Sequence, residues 1–167
     1  MDVKEKWADV RANKDFIFVQ TLSGNGVALP DPLGNKFFLS HSSTDDELGQ
    51  SLLEALAMSR LIDPEADPGF FDFRGRSANE YNEWVAATMR KFSYKRKTAL
   101  FGRMKFCSVG VVGDVMTIYP SHHERGDAWS GEGLTEEDNV ILAFNSSPSE
   151  VGAALRLALE RCRGNVY

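Results

Sequence analysis

The order of apolar and polar positions along the chain predicts alternating blocks of strands and helices. Short apolar or alternating runs bounded by turn residues predict strands at 15–22, 26–29, 36–43, 94–101, 105–112, 114–120 and 139–147. Apolar residues at helical spacing predict helices over 3–13, 44–60, 77–92 and 147–163. The proline- and glycine-containing stretch 61–76 is expected to be irregular, and the stretch 121–138 is expected to be a polar, mobile loop. This order predicts an α+β fold, with a mostly antiparallel sheet of about six or seven strands and three or four helices.

Two of the predicted helices resemble each other closely. Residues 47–60 read ELGQSLLEALAMSR and residues 150–163 read EVGAALRLALERCR, and six of the fourteen aligned positions are identical. Each helix follows an apolar run. The pattern indicates two duplicated strand–helix units, although helices rich in alanine and leucine also resemble one another through composition alone.

The two helices also share their starting signals and an internal glycine. Thr44 with Glu47, and Ser147 with Glu150, match the capping box, in which a hydroxyl and a carboxylate bind the free N–H groups of the first turn. Gly49 and Gly152 stand at the same position after the cap. Because glycine weakens a helix by about 1 kcal/mol relative to alanine, its presence in both predicts that another backbone passes close to each. Ser77 and Glu80 match the same box at the start of the helix over 77–92.

Length and composition are those of a globular protein. With 167 residues, 43% of them hydrophobic and a net charge of −5, the chain is expected to form a single domain spanning 1–167. No run approaches the length of a membrane span. The first fifteen residues are charged and lack the apolar core of a signal peptide. A cytoplasmic protein with reduced cysteines is therefore expected, since Cys107 and Cys162 are far apart in sequence and lie in a predicted strand and helix.

Few residues match patterns of catalysis or metal binding. His122, His123 and Glu124 form the one histidine cluster, but they lack the spacing of a helical zinc site, and solvated histidines in a loop are the favoured interpretation. We expect no catalytic residues, no metal and no cofactor. A small enzyme that uses these three side chains is the least favoured of three functional hypotheses.

A cluster of positive charge suggests a different function. Basic residues recur through 90–106 with aromatic residues between them, and Lys95, Arg96 and Lys97 are its centre. Basic groups beside aromatic rings can hold single-stranded nucleic acid. The chain as a whole is acidic, so nucleic acid is not the favoured partner. A single-stranded nucleic-acid-binding module remains the alternative hypothesis.

Negative charge is concentrated in the irregular segment and in a later loop. The later loop contains Glu132, Glu136, Glu137 and Asp138. Acidic loops with protruding aromatic residues can bind a basic protein, although each phenylalanine could equally be buried beneath its loop. The candidate partner-binding residues are Asp63, Glu65, Asp67, Phe70, Phe71 and Asp72.

Several motifs together resemble the CdiI family of immunity proteins from contact-dependent growth inhibition. The resemblance covers about residues 15–163. The motifs are L-G-x-x-L-x-x-A-L-x-x-S-R at 48–60, Trp84, the Y-K-x-K-x-A-L run at 94–100, Pro120 with Gly126 and Trp129, and S-x-x-x-V-G at 147–152.

The resemblance implies a cytoplasmic bacterial protein that binds and neutralises the C-terminal toxin domain of a cognate CdiA effector, often a nuclease. It also implies a fold similar to the Whirly architecture, in which two strand-rich units each end in a helix. The residues of the family motifs are mostly structural and identify no contact with the toxin. The acidic candidates are therefore nominated on charge alone. A nuclease presents basic surfaces to phosphates, and an acidic face can compete for them. An exposed sheet edge is a second possible binding mode.

Overall fold

The computed structural model describes residues 4–164, which contain ten strands and four α-helices. Short 3-10 helices lie at Pro68–Phe71 and Glu136–Asp138, and a π-helical turn lies at Phe73–Ser77. The helices are α1 (Asp45–Ala57), α2 (Ala78–Lys91), α3 (Lys97–Phe101) and α4 (Pro148–Arg161). The strands are β1 (Glu5–Ala12), β2 (Ile17–Asn25), β3 (Val27–Pro30), β4 (Lys36–Leu39), β5 (Lys105–Val112), β6 (Val115–Pro120), β7 (His122–Arg125), β8 (Ala128–Ser130), β9 (Val140–Ala143) and β10 (Arg163–Gly164).

The main sheet is entirely antiparallel and has the order β3-β2-β1-β5-β6-β9. Strand β4 is its seventh strand and also pairs with β2. Strands β3 and β4 share one side of β2, because β3 pairs with 22–25 and β4 with 17–20. A small second sheet has the order β10-β7-β8. The predicted α+β class and the predominantly antiparallel sheet are confirmed.

The sheet consists of two equivalent halves that meet between β1 and β5. In the first half β1 pairs with β2, β2 pairs with β4, and α1 follows. In the second half β5 pairs with β6, β6 pairs with β9, and α4 follows. The registers agree too: Ile17 lies opposite Leu39 as Met116 lies opposite Leu142. The predicted pair of strand–helix units is therefore present in the strand pairing as well as in the helices.

Helices α1 and α4 cross at the two matched glycines. A β-carbon on Gly49 would lie 1.7 Å from the carbonyl oxygen of Pro148, and one on Gly152 would lie 1.8 Å from that of Asp45. Each glycine therefore admits the backbone of the other helix, as the sequence predicted. Both capping boxes form, at Thr44 and at Ser147. At the same crossing Arg156 donates a 2.7 Å hydrogen bond to Asp45.

The two faces of the sheet carry different cores. Val10 and Val19 are buried on the face covered by α1 and α4, together with the leucines and alanines of those helices. Phe18, adjacent to Val19 in the same strand, points to the opposite face. There it joins an aromatic cluster with Trp84 of α2 and Phe101 of α3. Helices α2 and α3 thus close the second face over the first half of the sheet.

The predicted helix over 3–13 is wrong, because 5–12 form β1; residue 3 lies outside the described residues. Ala8, Val10 and Ala12 face the helices, while Asp9 and Arg11, which alternate with them, face the other side. Both polar side chains are accommodated there. Gln20 donates to Asp9 at 2.9 Å, and the Arg11 guanidinium lies 5.1–5.7 Å from four aromatic rings. Strand pairing with β2 and β5 therefore overrides the local sequence pattern that predicted a helix.

Two further predictions are corrected. The predicted strand at 94–101 instead contains α3, because a helical turn places Leu100 and Phe101 in the aromatic cluster together, whereas a strand would point them to opposite faces. The stretch 121–138 is not one long loop, since it forms the β7–β8 hairpin and a 3-10 turn.

The third capping box does not form. Ser77 already has helical backbone angles and its side chain caps nothing. Glu80 binds Arg76 instead. In residues 4–164, no helix has both the length and the apolar character that a membrane span requires.

Candidate functional site

The acidic segment that follows α1 is fixed to the β2–β3 hairpin. Gly24 donates a 3.2 Å hydrogen bond to the carbonyl oxygen of Arg60, and the N–H of Ile62 donates a 2.9 Å bond to that of Gly24. The Ile62 side chain is buried. The chain therefore leaves the hairpin along a defined path, and residues 63–73 lie at this end of the sheet.

A buried ion pair fixes the start of the segment. The Asp31 side chain has no solvent exposure and accepts hydrogen bonds from Arg60 Nε at 2.7 Å and Arg60 Nη2 at 3.0 Å. The Ser23 hydroxyl and the backbone N–H of Leu33 also donate to it, at 2.7 and 2.9 Å. Burial by itself raises the pKa of Asp31, but these donors and the charge of Arg60 together hold it below the ordinary value of 3.8.

Two arginines enclose the ring of Phe70. The Arg76 guanidinium lies 4.5 Å from the ring centre and that of Arg60 lies 6.0 Å from it. Arg76 also binds both carboxylate oxygens of Glu80, at 2.8 and 3.0 Å, and donates to the carbonyl oxygen of Phe70. Phe70 is consequently only 3% exposed. Its ring is not available to a partner in this conformation, contrary to the idea of a protruding side chain.

The carboxylates of the segment are exposed, and three of them also shape its turns. Asp63 accepts from the N–H of Glu65, Asp67 from that of Phe70 and Asp72 from that of Gly75. The Glu65 side chain is exposed and makes no hydrogen bond or ion pair with any residue in 4–164. The segment therefore presents four negative charges on a backbone that its own side chains hold in place.

Exposed apolar side chains border these charges. Phe73 is 54% exposed and Leu61 is 70% exposed. Val27, in the hairpin to which the segment is fixed, is 51% exposed. Phe71 is half-buried, with its ring edge against Phe70 at 5.2 Å. The acidic surface is defined here by Asp63, Glu65, Asp67, Phe71, Asp72 and Phe73.

The candidates nominated from the sequence omit three residues on which this surface depends. Asp31 lies in a turn remote from the segment, and no local pattern links it to Arg60. Arg76 lies in the stretch expected to be irregular, and its sequence context predicts no role for it. Phe73 is the exposed member of the F-F-D-F run, and no periodicity distinguishes it from Phe70. Only the identical arginine at the end of both duplicated helices, here Arg60, gave a signal in the sequence.

The basic segment has its charges exposed, while its aromatic rings are buried or partly buried. Lys95, Arg96 and Lys97 are exposed around the start of α3. The neighbouring rings belong to the aromatic cluster: Phe92 stacks on Phe16 at 4.7 Å, and Tyr94 packs beside Phe92. Base stacking, the main sequence-independent contact to single strands, would therefore have only partly buried rings, already packed against other aromatic side chains, at this segment. The geometry does not favour the nucleic-acid-binding alternative.

The histidine cluster is divided between the surface and the interior. His123 is 4% exposed; its ring stacks on Trp129 at 5.0 Å and its Nε2 lies 2.7 Å from the carbonyl oxygen of Gly126. The expectation of solvated histidines is therefore wrong for His123. Among the described residues, His122, Glu124 and Glu132 bring ligand-type atoms within 4.8 Å of one another at the surface.

The structure brings the two cysteines together. Sγ of Cys107, near the start of β5, lies 3.5 Å from Sγ of Cys162, which follows α4. Both are free thiols. Their separation of 55 positions in sequence concealed this contact.

Comparison with known proteins identifies the family. The model of the CdiI family, described as CDI immunity protein, matches residues 6–162. The immunity protein CdiI-YPIII of Yersinia pseudotuberculosis serotype O:3 is 43% identical over an alignment of 174 positions, which covers 97% of this chain and 98% of that protein. This chain therefore belongs to the CdiI family of immunity proteins of contact-dependent growth inhibition.

Two solved structures are similar in fold. One is a chain of the CdiA-CT/CdiI toxin and immunity complex from Yersinia pseudotuberculosis, with a TM-score of 0.88 and 39% identity over 97% of this chain and all of that chain. The other is a protein of unknown function from Neisseria meningitidis, with a TM-score of 0.87 and 36% identity over 96% of each chain. The α+β architecture described above is thus shared with these relatives.

Proposed function

We propose that this protein binds and neutralises the C-terminal toxin domain of a cognate CdiA effector in the cytoplasm of the cell that produces it. The observation that carries the proposal is the full-length similarity to a chain of a toxin and immunity complex. The protein acts by stoichiometric binding, without catalysis. Protection then depends on the affinity and lifetime of one protein–protein complex.

We further propose that the toxin is a nuclease with a basic substrate-binding surface and that the acidic surface meets it. Carboxylates on a fixed backbone compete with phosphates for lysine and arginine side chains. Asp63, Glu65, Asp67 and Asp72 supply the charge, and Phe71 and Phe73 supply apolar contact. Phe70 supports them from beneath, so its role is to hold the surface rather than to enter the toxin.

The fixed backbone of the acidic surface favours tight binding. Association loses affinity when loops must be ordered at the interface. Here the Asp31–Arg60 pair, the enclosure of Phe70 and the turns made by three aspartates order the segment before the toxin arrives. Toxin binding at this surface therefore costs little ordering entropy.

The proposed function is tested with the C-terminal domain of the CdiA protein from the same strain. Expression of that domain alone in a neutral bacterial host should arrest growth, and co-expression of this chain should restore it. The purified proteins should form a 1:1 complex. Arrest that persists despite co-expression, with no complex at low salt, would refute the proposal. Intact RNA and DNA in the arrested cells would refute the nuclease assignment while leaving immunity in place.

Replacing Glu65 with lysine should weaken toxin binding about tenfold at low salt, mostly through slower association. The substitution removes a charge that attracts a basic partner, and the fold is unaffected because the Glu65 side chain makes no polar contact with residues 4–164. The difference should shrink as salt rises, because exposed charges are screened. Association and dissociation rates measured by surface plasmon resonance check both statements.

The matched control for Glu65→Lys is Glu160→Lys, which makes the same change of net charge at an exposed position of α4. It should leave the affinity nearly unchanged. Glu137→Lys tests the other acidic loop. A larger loss in Glu137→Lys than in Glu65→Lys would show that the toxin docks at the later loop, and the acidic surface would be rejected as the interface.

A further inference from the structure

The two thiols lie at the junction of the main core and the last helix. Cys107 pairs with Val10 and Pro120 in neighbouring strands and has no solvent exposure. Cys162 is half-buried and caps α4 with an extended backbone, φ −60° and ψ 142°. Its sulfur also lies 3.4 Å from the carbonyl oxygen of Phe106, the residue before Cys107. One sulfur is therefore partly accessible and the other is wholly enclosed beside it.

We propose that Cys107 and Cys162 are a redox-modification site, which closes to an intramolecular disulfide by exchange with a low-molecular-weight disulfide and reopens with excess thiol. A disulfide has an S–S distance of about 2.05 Å, so the two sulfurs must approach by about 1.5 Å from their 3.5 Å separation. Cys162 lies beyond the last turn of α4, where backbone and side-chain rotation can supply that movement without breaking the helix.

The order of the two steps follows from exposure. The Cys162 thiolate attacks one sulfur of the small disulfide and expels one small thiolate, forming a mixed disulfide. Cys107 then attacks Sγ of Cys162 and expels the second small thiolate, which takes up the Cys107 proton. In sum the protein loses two electrons and two protons, and the small disulfide gains them as two thiols.

The electrostatics of the pair are consistent with this order. The hydrogen bond from Cys107 is the main influence that lowers the pKa of Cys162 to about 7, against the opposing effect of burial. Backbone groups of Ser121 and Phe106 and the charge of Lys105 act in the same direction. The hydrogen bond and burial raise the pKa of Cys107 well above its usual range. At neutral pH the more accessible sulfur is thus the better nucleophile.

The disulfide would join the end of α4 to the first part of β5. It would cross-link positions 55 apart in the chain, and such a link stabilises chiefly by restricting the unfolded chain. It would also fix Arg163 and Gly164, which follow Cys162 and pair with β7. The melting temperature of the oxidised protein should therefore be higher by roughly 5–10 °C.

The test is incubation of the purified full chain with oxidised glutathione at neutral pH, followed by maleimide labelling in denaturant and intact mass measurement. We expect both thiols to disappear, the mass to fall by two hydrogen atoms without an adduct, and the melting temperature to rise until dithiothreitol is added. Two maleimide-reactive thiols after prolonged incubation, or a lasting glutathione adduct on the wild-type chain, would overturn the proposal.

Single substitutions separate the two steps. Cys107→Ala should stop at a stable glutathione adduct on Cys162, and Cys162→Ser should stay unmodified. Adduct formation on Cys107 in the second variant would overturn the assigned order. A measurement on the unaltered chain covers the case of a variant that fails to fold: phenylarsine oxide, which bridges two adjacent thiols, should bind one to one under native conditions. Absence of that binding would contradict the paired-thiol site.

Discussion

Replacing Gly152 with alanine should destabilise the protein by about 3 kcal/mol or more, and this reverses the usual effect of that change in a helix. In an unconstrained helix, alanine is more favourable than glycine by about 1 kcal/mol. Here the new methyl group would lie 1.8 Å from the carbonyl oxygen of Asp45. Backbone atoms of a packed helix cannot move aside as a flexible side chain can, so α1 and α4 must separate and open the core between them.

Urea unfolding at equilibrium measures this effect. Ala153→Gly is the matched control, because Ala153 is the next residue of α4 and is exposed; it should lose about 1 kcal/mol through helix propensity alone. Gly49→Ala should behave like Gly152→Ala, since its methyl group would lie 1.7 Å from the carbonyl oxygen of Pro148. Wild-type stability in either glycine variant would contradict the close helix crossing.

The two helices could be predicted from sequence because every local signal agreed. Apolar periodicity, a capping box and a glycine at one position recur in 47–60 and 150–163, and each signal has a local physical cause. Strand β1 could not be predicted because its polar residues make their contacts with distant groups. Asp9 depends on Gln20, and Arg11 depends on four rings from other elements. Helix α3 was missed because its geometry is set by the aromatic cluster into which Leu100 and Phe101 pack.

The sequence predicts the negative charge of the candidate site but not which of its aromatic rings are exposed. The run of carboxylates at 63–72 is visible in the sequence, and the structure places all four at the surface. Which phenylalanine is exposed depends on Arg60 and Arg76, which reach Phe70 from either end of the segment. The contact between Cys107 and Cys162 likewise depends on where α4 ends over β5. Contacts of this kind arise from tertiary packing and leave no local pattern.

Replacing Asp31 with alanine should destabilise the protein by about 3 kcal/mol, the lower end of the effect of removing one partner from a buried ion pair. The lower end applies because the Arg60 side chain is 42% exposed and can turn towards water. The Ser23 hydroxyl and the N–H of Leu33 lose their acceptor and have less access to water. Asp63→Ala is the control: its exposed carboxylate accepts one turn hydrogen bond, and the loss should stay below about 1 kcal/mol.

The effect of Asp31 should depend on pH in a defined direction. Since the pKa of Asp31 is lower in the folded protein than its ordinary 3.8, its charged form stabilises the fold above that value, and this contribution is lost as the pH falls through the folded pKa. The gap in unfolding free energy between wild type and Asp31→Asn should therefore be constant near neutrality and narrow below about pH 4. A gap that widens on acidification would contradict the lowered pKa.

The substitution Asp31→Asn should distinguish direct contact with the toxin from preorganisation of the acidic segment. Asp31 is fully buried and cannot touch a partner, yet it holds Arg60, which both begins the acidic segment and lies against Phe70. At a temperature where Asp31→Asn remains folded, its toxin affinity should fall about tenfold, because the segment must then be ordered on binding. Unlike the loss of affinity in Glu65→Lys, this loss should persist at high salt, since ordering entropy is not screened by ions.

Equal toxin affinity in wild type and Asp31→Asn would have one of two explanations. Either the toxin binds away from this end of the sheet, or the segment keeps its path without the ion pair. Hydrogen exchange at the backbone amides of Ile62 and Phe70 distinguishes these two cases.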